Sequence, residues 1–146
     1  MTQSTLTIIV GGILPALFFG ISSVFSKAST ESGISLGFYI LCAGGAAAVT
    51  GVVFCFFDNN MLITLRSSAF AALAGIAWAV AAGLVAVALI HYDAAISKLV
   101  PLYNMNTLVA VLIGLIVFSE WKDINVPKLF IGSLLIIIGG SLVSAS

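Results

Sequence analysis

Five apolar stretches follow one another along the chain, with short polar breaks between them. They run roughly from Thr5 to Ser26, Ser35 to Phe57, Ser68 to Ile90, Leu99 to Ser119 and Val126 to Val143. The first four contain no charged side chain, and the fifth contains only Lys128, near its start. Crossing a hydrocarbon core about 30 Å thick takes about 20 apolar residues in a helix. Barrel strands would alternate over about ten residues, and these runs do not. The pattern predicts an all-α membrane protein. It is a bundle of five transmembrane helices over about residues 5–27, 34–57, 68–91, 95–119 and 126–145, in one domain covering 1–146.

The breaks supply the punctuation. Ala28 to Gly33 forms a polar link, and Asp58-Asn59-Asn60 is a turn cluster. Met61 to Arg66 is too short to span and is read as interfacial. His91-Tyr92-Asp93 closes the third span, and Glu120-Trp121-Lys122-Asp123 closes the fourth. Pro127 opens the fifth, where a first-turn proline costs no hydrogen bond. The first run has no basic segment before it and carries Pro15 and Gly20 inside it, so it reads as a retained helix rather than a cleaved leader. Trp121, Tyr92 and Phe130 sit where interface anchors are expected.

Composition strengthens this picture. Hydrophobic residues make up 62% of the chain and charged residues 7%, against about 25% charged in soluble domains. The lipid bilayer is therefore the expected main partner. The formal net charge is zero and no basic cluster exists, which argues against a nucleic-acid partner. Orientation is weakly encoded: Arg66, Lys122 and Lys128 fall on one side, Lys27 and Lys98 on the other. Cys42 and Cys55 lie about 220° apart on a helical wheel and do not face each other. His91 has no partner at ligand spacing, so no metal and no cofactor are expected. No nucleophile–base pair is recognisable, so an enzyme is not expected.

Two spans carry polar faces. On the first, Pro15, Phe19, Ser22 and Ser26 share a side. On the fourth, Ser97, Pro101, Tyr103, Asn104 and Thr107 do, while Asn106 points away. A polar group in hydrocarbon is costly unless bonded, so these faces meet protein or a water-filled cavity. Pro101 frees a carbonyl of its own helix for another group. Trp78, in the middle of the third span, is either a packing residue or part of a cavity wall. The candidate substrate-binding residues are Asn104, Tyr103, Thr107, Trp78, Ser22 and Pro15. No acidic residue lies in mid-span, and Glu120 and Asp93 read as helix-end charges. Small residues mark packing faces in lipid. Gly37, Gly44, Ala48, Gly51 and Cys55 form one on the second span, expected to pack within the subunit. Gly132 and Gly139, with Ser133 and Gly140 beside them, form another on the fifth, a candidate dimer interface.

From Ala88 to Ser141 the chain resembles the drug/metabolite transporter superfamily, in particular its EamA-type repeat. The matching residues are Ala88, Tyr92, Pro101, the apolar run closing at Glu120, and Gly132 through Gly139. Gly20, Ser22, Val24 and Lys27 extend the resemblance to the first span. It implies one half of a ten-helix inverted-repeat transporter. It further implies a second copy of the chain as partner, possibly antiparallel, as in the related small multidrug resistance proteins. Those carry an acidic residue in the first helix, and here Pro15 and Ser22 occupy that face. The expected function is secondary transport of small polar or amphipathic metabolites by alternating access in a prokaryotic plasma membrane. The alternative is a non-transporting subunit that pairs with a paralogue or serves assembly or regulation.

Overall fold

The computed structural model describes residues 3–58, 62–119 and 125–145. Among them every regular element is helical. Five helices are long and apolar enough to cross a membrane: Thr5–Glu31, Leu36–Phe57, Leu65–His91, Ile96–Val117 and Val126–Ala145. The elements are α1 (Gln3–Ile8), a π turn (Ile9–Ile13), α2 (Leu14–Glu31), α3 (Leu36–Phe57), α4 (Leu65–His91), α5 (Ile96–Tyr103), α6 (Asn106–Val117) and α7 (Val126–Ala145). Most large apolar side chains on them are exposed, including Phe18, Phe56 and Leu135. In a membrane such a surface is solvated by lipid.

The boundaries depart from the sequence expectation in three places, each with a local cause. The first span does not end at Lys27 but continues to Glu31. Thr30 Oγ1 donates to the Lys27 carbonyl at 2.8 Å and Ser32 Oγ to the Ala28 carbonyl at 2.8 Å. These bonds add hydroxyl donors to carbonyls of the last turns, where the Ala28 carbonyl also accepts from the Ser32 amide at 3.1 Å. Gly33, at φ +86°, then turns the chain into α3, a conformation glycine adopts without steric cost. The third span begins at Leu65, three residues before Ser68. Thr64 accepts from the Ser67 amide at 3.1 Å, and Ser67 Oγ accepts from the Thr64 amide at 3.1 Å. That reciprocal capping box starts the helix early.

The third departure is a break in the fourth span. The expectation was one continuous helix over 95–119. Instead α5 ends at Tyr103 and α6 begins at Asn106. Asn104 still bonds four residues back, to Val100, but past it the bonds shorten to three: Met105 to Leu102, Thr107 to Asn104 and Leu108 to Met105. Pro101 has no N–H to give to the Ser97 carbonyl, and tight 3₁₀ geometry follows it. Pro15 accompanies a second irregularity. Just before it the backbone widens into a π turn, in which the Leu14 amide donates to the carbonyl of Ile9.

The chain divides into two compact units, Met1–Asp93 and Ala94–Ser146. In the first, α4 packs against both α2 and α3. Ala86 and Leu89, near the end of α4, are the buried apolar residues among those described. The glycine stripe of the second span, expected to pack within the subunit, makes no close approach inside the first unit at its glycines. A Cβ added at Gly37, Gly44 or Gly51 meets nothing within 4 Å, and α3 reaches α4 through Ile40, 3.8 Å from a Cβ at Gly83.

In the second unit α7 packs on α5. The contact is tightest at Gly140, where an added Cβ would lie 2.8 Å from the Pro101 carbonyl oxygen. Gly140→Ala therefore forces the two helices apart, with an overpacking loss of about 1–3 kcal/mol. Thermal unfolding in detergent should fall for Gly140→Ala and stay unchanged for Gly139→Ala, whose Cβ meets nothing within 4 Å. Equal melting of the two variants would contradict this close approach.

Candidate functional site

The polar cleft of the first unit is built from three helices. On α2, Ser22, Ser26 and Ser29 recur at the spacing that places residues on one helical face. On α3, Tyr39, Cys42 and Ala43 do the same. Trp78 comes from the midpoint of α4. Together with Phe25 and Ile34 these residues line an open cleft of about 260 Å³. Ligand sites usually hold about 300–1,000 Å³, so this one suits a small solute. Its lining contains three serines, a tyrosine, a cysteine and an indole, and no charged side chain.

The polar groups of α2 and α3 meet directly. The hydroxyls of Ser26 and Tyr39 lie 2.7 Å apart, and Ser26 Oγ also donates to the Ser22 carbonyl at 2.9 Å. Among the described residues the Ser22 and Ser29 hydroxyls form no hydrogen bond with protein. Next to this face, Lys27 is mostly covered, with 17% of its side chain exposed, and it pairs with Glu31 at 3.4 Å and Asp93 at 3.5 Å. The first pair lies within α2, and the second ties the end of α2 to Asp93, two residues beyond the end of α4. Their carboxylates are exposed, so their contribution to stability is small.

Of the six candidate substrate-binding residues, the structure brings Ser22 and Trp78 together in this cleft. Pro15 lies on α2 beside the π turn, half-buried, outside the lining. Tyr103, Asn104 and Thr107 belong to the second unit and sit at the break in the fourth span. Thr107 Oγ1 donates to the Asn104 carbonyl at 2.8 Å. The Asn104 side chain is exposed and bonds no protein group among the described residues. A small apolar void between α6 and α7, about 20 Å³, holds at most a water-sized guest. Of the proposed interface glycines, Gly140 is occupied by Pro101 inside the unit, while Gly132 and Gly139 face no atom within 4 Å. Tyr92 and Phe130 are exposed at their helix ends. Glu120, Trp121, Lys122 and Asp123 lie outside the described residues.

Sequence reasoning did not single out Tyr39, Ser29 or Cys42. The signal available was the short link 32–35 between α2 and α3, which keeps Ser26, near the end of α2, within reach of Tyr39, near the start of α3. The described residues contain no group of three metal-ligating side chains.

Five helices long and apolar enough to span a membrane, together with family membership, make this an integral membrane protein of the transporter class. The chain belongs to the family described as sugar transport protein, whose profile matches residues 9–146. Neither a curated protein nor a solved structure matches it.

Proposed function

We propose that this protein is a secondary transporter of small neutral sugars, and that the cleft between α2, α3 and α4 is the substrate site. The observation that carries the reading is the lining itself: serine and tyrosine hydroxyls beside a tryptophan ring, without a charge. A sugar presents hydroxyls around its edge and an apolar C–H face. Hydroxyl side chains serve the edge, and an indole offers a broad apolar plane to the face. A site without ionised groups disfavours a charged solute, whose desolvation would go uncompensated. The family's description agrees with this chemistry.

The polar face at the break in the fourth span, Tyr103, Asn104 and Thr107, is proposed as a substrate-contacting surface of the second unit in its own right. Interrupted helices supply such surfaces in many transporters. We further place the protein in a prokaryotic plasma membrane, akin to the drug/metabolite transporter superfamily. There one five-helix unit works with a second in inverted orientation. A second copy of this chain is the proposed partner, meeting it through the open face of Gly132 and Gly139. Gly132→Leu or Gly139→Leu should lower the yield of crosslinked dimer, again by about 1–3 kcal/mol of overpacking, while insertion of the single chain persists. Unchanged dimer yield in both variants would move the contact to the open stripe of α3.

Uptake tests the function. Cells expressing the chain should accumulate labelled neutral monosaccharides and not the corresponding sugar phosphates. Preference for the phosphates would contradict the reading of the lining. Expression without any uptake would favour a non-transporting subunit.

A further inference from the structure

We propose that Tyr39 is the specificity-determining residue of the cleft, and that it acts as a hydrogen-bond acceptor that selects ligands offering a hydroxyl donor. The proposal rests on reading the cleft as the sugar site. Ser26 Oγ stands 2.9 Å from the Ser22 carbonyl oxygen and 2.7 Å from the Tyr39 hydroxyl oxygen. A carbonyl has no proton to give, so the bond to Ser22 uses the only proton of Ser26. The proton shared between Ser26 and Tyr39 must then come from Tyr39. The chain therefore runs in one direction, from the Tyr39 hydroxyl to Ser26 Oγ to the carbonyl of Ser22.

With its proton committed to Ser26, Tyr39 keeps only acceptor capacity toward the cleft. Aligned hydrogen bonds polarise one another, and a ligand hydroxyl donating to Tyr39 extends the chain by one link. A ligand carrying hydrogen, fluorine or a methyl ether at that position leaves the link unmade. Fluorine fails for a specific reason: it can only accept, and here the protein also only accepts. A charged ammonium donor would find no carboxylate in the lining to balance it. The preferred ligand is thus a neutral polyol with a free hydroxyl at one defined ring position.

The native Cys42 lines the same cleft one turn beyond Tyr39, which makes it a built-in reporter. Its modification by N-ethylmaleimide is measured in a Cys55→Ser background, in membrane vesicles. D-glucose, D-galactose and D-xylose, with their monodeoxy and monofluoro forms, serve as protectants. At one ring position, replacing the hydroxyl by hydrogen or by fluorine should weaken protection equally, by roughly three- to tenfold, the worth of one neutral hydrogen bond exchanged against water. Tyr39→Phe should remove that penalty. Ser26→Ala should release the Tyr39 proton and turn Tyr39 into a donor, so that the fluoro sugar then protects better than the deoxy sugar. A merely structural role of Tyr39 would not reorder the analogues. Protection by sugars with the same analogue penalties in Tyr39→Phe would overturn the proposal and leave the cleft as the site. Failure of every sugar to protect Cys42 would overturn the cleft reading, and this proposal with it.

Discussion

Trp78→Ala should nearly abolish sugar uptake while the bundle still folds. The indole stands at the midpoint of α4 and closes one wall of the cleft. It is 46% exposed, so it is no keystone of internal packing. A bound sugar ring would cover part of its face. Covering about 100 Å² at about 25 cal/mol per Å² corresponds to roughly 2.5 kcal/mol. That is a loss of about 50- to 100-fold in apparent affinity when the ring is removed. Trp78→Phe keeps an aromatic plane and should retain most of the activity. Uptake kinetics at several sugar concentrations separate the two variants. Uptake at wild-type level in Trp78→Ala would exclude the ring from the path.

Asn104→Leu should have a comparably large effect from the other unit. Asn104 sits where the fourth span changes from α5 to α6, and its side-chain amide bonds no protein group among the described residues. An amide facing hydrocarbon without a partner costs about 1–3 kcal/mol on the scale of protein mutations. The residue is therefore read as meeting water or substrate. Leucine removes the amide and nearly keeps the volume. Transport should be lost, while thermal stability in detergent stays equal or rises, because no internal bond is broken. A large fall in stability would make Asn104 a structural link instead, and the polar face of the fourth span would drop out of the path.

Long uncharged runs bounded by polar clusters leave a helical bundle as the only economical arrangement in lipid, and all five spans were legible on that ground. Trp78 and Ser22 were legible as candidates because a mid-span indole and a polar helix face stand out against an apolar background. What eluded the sequence depends on short-range geometry. The continuation of the first span to Glu31 rests on hydroxyls of Thr30 and Ser32 bonding backward to carbonyls, a choice that serine and threonine make equally well in loops. Pro101 was visible, but a proline either kinks or breaks a helix, and here the 3₁₀ turns at 102–108 decided for a break. Tyr39 was hidden because a tyrosine in an apolar run reads as packing until its hydroxyl meets Ser26 across the helical pair. The glycine stripe on α3 looked like an internal packing face, yet small residues signal only that a close approach is possible and not with what.

The most direct test is counterflow in proteoliposomes that contain this chain alone. Vesicles loaded with unlabelled monosaccharide should transiently concentrate the labelled sugar from outside, and Trp78→Ala vesicles should not. Counterflow that is absent from wild-type vesicles, or that is equal in wild type and Trp78→Ala, would contradict sugar transport through the α2–α3–α4 cleft.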